Sequence, residues 1–187
     1  MSDERFSIFK LYEASKKTLL QPKAYFASMK TQGGLGEPII KALMYGVIAG
    51  IFVLLWDILN VTGVSTGFLG GTTGIAGFFG AIIGAVIGVF IVGVIVLIIS
   101  AICKGNTDFE PNMRVAAATM VLVPINAFLG FFSGISYSLG AIIGLAVSLY
   151  GVYLLYIAVT VALQGQAQTA RTVSYVLAAL LIISQIV

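Results

Sequence analysis

Histidine is absent from this chain, cysteine occurs once, and Lys, Arg, Asp and Glu together make up only 9% of 187 residues. The missing histidine removes the commonest general base, the commonest metal ligand and the usual pH switch at one stroke. The single cysteine, Cys103, rules out an internal disulfide and a cysteine-cluster metal site. No constellation of nucleophile, base and metal ligand can be assembled from what remains, so the sequence points away from an enzyme. No cofactor, no metal and no nucleic-acid partner is expected.

What is present in excess is apolar surface: 59% of the residues are hydrophobic. A soluble domain is about 45–50% apolar and about 25% charged, and one of this length cannot bury the surplus in a single core. Lipid is therefore the expected solvent, and the expected fold class is an all-α integral membrane bundle. At about 20 apolar residues per crossing, five spans are read: residues 39–60, 74–103, 114–132, 138–163 and 172–187. The second is long enough to tilt. The fifth is short, roughly 24 Å at ~1.5 Å per residue, and crosses only if its carboxylate reaches the opposite interface. Residues 1–38 precede the spans; they mix acidic and basic side chains and lack the unbroken apolar core of a cleavable signal.

Charge orients the spans. Seven of the ten Lys and Arg residues lie between Arg5 and Lys41, two flank the second-to-third connection (Lys104 and Arg114), and Arg171 precedes span five. The other two connections contain none. Basic loops stay cytoplasmic, so the N-terminus is expected inside and the C-terminus outside. The membrane would be the plasma membrane in a prokaryote, and the Golgi or endoplasmic reticulum in a eukaryote.

The stretch "TQGGLGEPII" places three glycines within four residues just ahead of span one. A phosphate cradle needs a Lys and a Ser or Thr after the last glycine; Glu37 and Pro38 stand there instead. A hinge accounts for every residue. Gly33 and Gly34 suit a left-handed helix end, Pro38 suits the first turn of the next helix, and Glu37 favours its positive end. Upstream, Pro22 starts a helix on which Tyr25, Phe26 and Met29 gather between Lys23 and Lys30. Ile8, Leu11, Tyr12 and Leu19 recur at helical spacing before it, among Lys10, Lys16 and Lys17. Such basic amphipathic helices either lie in the cytoplasmic interface, anchored by these aromatic and basic residues, or dock as a small cap on the cytoplasmic loops.

This order of features resembles the Yip domain family of five-span membrane proteins, and its shorter prokaryotic-type members in particular. The "P-x-x-Y-F" helix, "GGLGEP", "RVAAATMVLVPIN", "IGLAVSLYGVYLLYIAV" and "QAQTARTVSYVLAALLI" cover nearly the whole chain. The resemblance implies a proline in the third span, where Pro124 stands, and a small-residue and basic turn before the fifth, at Ala167, Ala170 and Arg171. Eukaryotic relatives are associated with prenylated Rab-type GTPases, vesicle traffic and membrane shaping. Their longer acidic or disordered N-terminus is replaced here by a short basic one, so the resemblance does not carry GTPase binding over to this chain.

Within the spans, Gly77, Gly80, Gly84, Gly88 and Gly93 mark span two, and Gly140, Gly144 and Gly151 mark span four. Glycines four apart let helices approach closely. They read as internal packing, with a homo-oligomer seam or a lipid-accessible groove as the functional alternative. Two "GAIIG" frames lie sixty residues apart, and "CKGNT" against "LQGQA" keeps that register; this is either a helix-pair repeat or a coincidence of two glycine-rich helices. "GVSTG" around Ser65 matches a nucleophile elbow but has no histidine base, and "NVT" at Asn60 is a sequon on the outer side. Asp57 is the ionisable residue inside a span and is read as reaching the headgroups beside an interfacial Trp56. Lys41 and Arg114 are read as snorkelling at inner ends. Pro124 with Asn126 reads as a kink and packing device, since the proline frees a carbonyl that an amide can satisfy, with a ligand site as the lesser reading. Cys103 reads as a buried small residue, with lipidation as the alternative.

The function these features indicate is a non-catalytic membrane-organising or adaptor protein that works through membrane lipids and cytoplasmic partners. The alternative is a small transporter or channel for lipid or an uncharged solute.

Overall fold

A computed structural model describes residues 8–61 and 74–185, which are helical with no strand among them. Ser65 and Thr62 of the sequon at Asn60 lie outside the described residues, as do the last two residues of span five. Two short helices, α1 (Ile8–Leu20) and α2 (Pro22–Ser28), lead into α3 (Gly36–Ile58) and α4 (Gly74–Ile102). The third membrane-length segment is broken into α5 (Phe109–Thr119), α6 (Leu122–Leu129) and α7 (Phe131–Ile135). Helix α8 (Tyr137–Ile157) continues through a π turn (Ala158–Ala162), and α9 (Ala167–Ile183) closes the chain. Four of these segments are long and apolar enough to cross a membrane: Gly36–Ile58, Gly74–Ile102, Phe109–Ile135 and Tyr137–Ala162. Helix α9 is a shorter apolar helix. The end of the bundle bearing α1, α2, Arg114 and Arg171 is called the basic end below, and the other the far end.

Helix α5 is the axis of the bundle. Every residue from Pro111 to Ala118 is buried, so this helix has no lipid face, although its sequence includes Asn112 and Arg114. The segment begins at Phe109 rather than at the expected residue 114, because Asp108 and Glu110 are held at the basic end and add a turn. The helix breaks at Met120 and Val121, between α5 and α6, one turn before Pro124. The Met120 carbonyl one turn before the proline is met by the Val123 N–H at 2.9 Å. It does not need Asn126.

Helices α3 and α4 pack most closely, and the contact is made by glycines of α3 rather than those noticed in α4. A Cβ on Gly46 would stand 2.8 Å from Ala85 Cβ and 3.0 Å from the Ile82 backbone, and one on Gly50 would stand 2.8 Å from the Phe78 ring. In lipid the hydrophobic effect does not press helices together, so association rests on such close packing. At the far end Trp56 is buried among Phe52, Phe128 and Phe131. Its indole N–H donates to the Ala127 carbonyl at 2.8 Å. Trp56 therefore ties α3 to α6 inside the protein and is not an interfacial anchor; Asp57 beside it is exposed.

The two turns that sequence register pairs sixty residues apart face each other at the basic end. The Asn106 N–H donates to the Leu163 carbonyl at 2.8 Å, and the Gln166 N–H donates to the Cys103 carbonyl at 2.7 Å. Lys104 and Gln164 are both left-handed, with φ of 55° and 56°. Side chains are excluded where the turns cross: a Cβ on Gly105 would lie 2.8 Å from the Leu163 carbonyl oxygen. Adding sixty to the donor's number and subtracting sixty from the acceptor's turns one bond into the other, so the register is a local structural pseudo-symmetry. Cys103 is fully buried beneath this crossing. This places Cys103 as a packed small residue out of reach of lipidation.

Overpacking a tight helix contact typically costs about 1–3 kcal/mol and more when backbone must move. Gly46→Leu is expected to lower the thermal unfolding temperature in detergent sharply, whereas Gly144→Leu, whose Cβ meets nothing within 4 Å, leaves it close to wild type. Equal melting of the two variants would contradict the α3–α4 contact described here.

Candidate functional site

At the basic end the sequence offered two charges, Lys41 and Arg114, as snorkelling groups. The structure closes them into a network. Arg114, on the second turn of α5, is 5% exposed. Its Nη1 donates to Glu37 Oε2 at 2.7 Å, its Nε to Glu110 Oε1 at 3.1 Å, and its Nη2 to the Gly34 carbonyl at 3.0 Å. Glu110 lies one turn before Arg114 on α5 and accepts in addition the Gly34 N–H at 2.6 Å. Glu37, in the first turn of α3, also pairs with Lys41 at 2.7 Å. Lys41 in turn reaches the Tyr25 hydroxyl at 3.4 Å. Lys41 and Arg114 are thus consumed inside the protein instead of snorkelling.

This network explains "GGLGEP". Both backbone groups of Gly34 are held, the carbonyl by Arg114 and the N–H by Glu110. Gly33 and Gly34 adopt φ of 134° and 87°, a region costly to residues with a Cβ. A Cβ on Gly33 would stand 2.8 Å from Arg114 Nη2. The glycines do not end α2, which stops at Ser28 with Met29 extended. They form a strap that passes across the guanidinium.

The strap holds α1 and α2 against the bundle. Phe26 is 1% exposed, packed inside rather than turned to an interface, and Leu11 and Thr18 are buried beside it. Tyr25 and Met29 are half-buried against the same core, while Lys23 and Lys30 are exposed. Ser15 donates to the Leu11 carbonyl at 2.7 Å, so the 2.8 Å contact between Ser15 and Tyr45 is a bond donated by the tyrosine. Tyr150 donates to the Leu19 carbonyl at 2.5 Å. Tyr45 lies nine residues into α3, about 13 Å along the helix at ~1.5 Å per residue. The cap is therefore seated below the helix ends, along the flank of the bundle.

Helix α1 consequently has three faces. Leu11, Ala14, Ser15 and Thr18 face the bundle. Lys10, Glu13 and Lys17 share a polar side at helical spacing. Between the two, Ile8, Phe9, Tyr12 and Leu20 are 60–73% exposed and share a side with Lys16. The sequence signal for the third face was the apolar recurrence itself; which side docked was not readable from it.

A second feature lies in the far half of the bundle. A cavity of about 730 Å³ opens between α4, α6, α8 and α9. The structure brings Gly84 and Gly88 together here with Gly140 and Gly144, and adds Asn126 and Ser148. Gly77 is buried on α4, Gly93 packs against Met113, and Gly151 against Leu122; Gly80 is half-buried. The glycines singled out in sequence thus divide between packing and an open groove. Among the described residues no group of His, Cys, Asp and Glu could hold a metal ion.

Against known proteins, a family model described as Yip1 domain matches residues 16–187. No curated protein and no solved structure matches the chain.

Removing one partner of a buried ion pair leaves the others unsatisfied, a cost of about 3–5 kcal/mol that falls toward ~2 where the carboxylates keep some water contact, as Glu37 and Glu110 do. Arg114→Met is expected to lower the melting temperature and to expose Phe26 to limited proteolysis of the α1–α2 segment. Arg114→Lys should recover only part, because an ammonium's three donors radiate from one nitrogen and cannot span the three acceptors that Nε, Nη1 and Nη2 reach separately. Wild-type melting of Arg114→Met would remove the latch.

Proposed function

Since the chain belongs to the Yip1 domain family, an integral membrane family, we propose that it is a non-catalytic protein that organises or shapes the membrane through its docked N-terminal cap. The observation that carries this reading is the exposed apolar side of α1, with Ile8, Phe9, Tyr12 and Leu20 turned away from a bundle that already holds the helix by another side. An apolar face of this size on a basic helix, level with the interface, buries itself among headgroups and acyl chains. Each Lys near an anionic surface adds about 1 kcal/mol. Because the cap is latched to the bundle, the wedge cannot diffuse away from the spans; it displaces lipid in one leaflet only.

The accompanying topology is five crossings with the basic end cytoplasmic and the C-terminus outside. Lys and Arg crowd the end that carries the cap, as basic loops do. Helix α9 has 17 residues, about 26 Å at ~1.5 Å per residue, close to a hydrocarbon core about 30 Å thick. A tag after Val187 is expected to be accessible only from outside intact cells; accessibility from the cytoplasm alone would reverse the assignment.

The decisive variant keeps the docked side of α1. Phe9→Ser, Tyr12→Ser and Leu20→Ser together should leave folding intact yet abolish remodelling of anionic vesicles into which the protein is reconstituted, with electron microscopy as the readout. If the triple variant remodels vesicles as wild type does, the cap is not the working part. If wild-type vesicles keep their shape but show saturable solute or lipid flux, the protein is a transporter instead.

A further inference from the structure

A smaller cavity, of about 200 Å³, lies at the basic end where α1, α2, the strap, α3 and α5 converge. Its wall is charged: Arg114 is 5% and Lys41 12% exposed, and Glu37 pairs with both. The hydrogen bonds of these groups leave a surplus of donors. Arg114 has five N–H bonds and uses three of them, to Glu110, Glu37 and the Gly34 carbonyl. Lys41 has three and uses two, to Glu37 and the Tyr25 hydroxyl. That hydroxyl accepts from Lys41 and has no acceptor for its own proton among the described residues. Both oxygens of Glu37 are committed, one to Lys41 and the other to Arg114. Two N–H bonds of Arg114, one of Lys41 and the Tyr25 O–H are thus left without a protein acceptor, all on residues that line one cavity.

Buried donors without acceptors are costly, and an occupant that supplies acceptors relieves them. Water would bring two donors of its own to a cavity whose carboxylate oxygens are already taken; an oxyanion brings acceptors only. Charge points the same way. Lys30, Lys41 and Arg114 against Glu37 give the lining a net charge of +2 (3 − 1), or +1 when Glu110, bonded to Arg114, is counted. The volume is below the ~300 Å³ at which pockets for drug-sized ligands begin. We infer that the cavity binds a phosphate group, held by Arg114, Lys41 and the Tyr25 hydroxyl, as the headgroup of an anionic lipid or as the free ion. Ser28 and Lys30 are exposed and form its mouth. The first turns of α3 and α5 stand where hydrocarbon gives way to headgroups, a level that both sources reach. A phosphate there touches α2, α3 and α5 together, so its binding stabilises the docked cap. The site does not rest on the exposed side of α1: Phe9, Tyr12 and Leu20 do not line it, so phosphate binding and vesicle remodelling fail separately.

The full-length protein in an uncharged detergent is titrated with sodium phosphate, with sodium chloride of equal ionic strength as the blank. A parallel titration uses micellar phosphatidic acid, with phosphatidylcholine as the blank. The readout is the rise in each variant's own unfolding temperature, which follows the dissociation constant of a ligand that binds the folded state alone. A rise with inorganic phosphate identifies the free ion as a ligand; a rise with phosphatidic acid only identifies the lipid headgroup. Tyr25→Phe, which keeps the ring, and Lys41→Gln should each weaken binding roughly tenfold. Ala14→Leu, which fills the cavity from α1, should abolish it. Lys104→Gln removes an exposed cation at the same end but outside the cavity and should leave binding unchanged. A wild-type protein that responds to neither phosphate source overturns the proposal. So does Lys104→Gln weakening binding as much as Lys41→Gln, which would mean diffuse surface charge, and so does wild-type binding by both Tyr25→Phe and Ala14→Leu.

Discussion

The arrangement at the basic end depends on a guanidinium that has left water. Arg114 sits on a helix with no exposed side, and a charge so placed persists only if every donor finds an acceptor. Its acceptors come from three places in the chain: one turn back on α5, the first turn of α3, and the backbone of a glycine strap. Meeting them fixes the start of α3 against α5 and fixes the strap across both. The strap then sets how α2 returns, which seats Phe26 and orients α1. A single buried charge thus propagates through short links to the exposed apolar face that the proposed function uses.

The rest of the bundle is governed by the weakness of helix association in lipid. Where small residues of α3 meet small residues of α4, backbones approach and a seam forms; where Gly144 of α8 meets no neighbour, the same residue type borders an open groove. Glycine content is therefore ambiguous by nature. It permits closeness without deciding whether helix, lipid or a second chain comes close. The crossing of the turns at Gly105 and Gly165 is the opposite case, where reciprocal backbone bonds at 2.8 Å and 2.7 Å commit the glycines to one another.

Much of this was legible beforehand, and the limits follow a pattern. The four long helices emerged from apolar runs because bilayer thickness is a constraint applied locally, residue by residue. Pro22, Pro38 and Pro124 each did what a missing N–H and a fixed φ require within one turn of themselves. Reading Arg114 as snorkelling, Trp56 as an interfacial ring and Phe26 as an anchor failed because each of these groups is completed by a partner remote in sequence, and Lys41 follows Arg114 because both pair with Glu37. Glu37 is 77 residues from Arg114, and Ala127 is 71 from Trp56.

By itself the sequence determined the solvent, the helical content and which end of the molecule carries the positive charge, since these follow from sums and short-range periodicity. Only tertiary structure decided which polar groups are satisfied and which are left waiting. Gly34 is held at both its backbone groups, while two N–H bonds of Arg114 have no acceptor among the described residues. That difference cannot be summed along a chain, because a hydrogen bond exists only where folding brings a donor and an acceptor within about 3 Å.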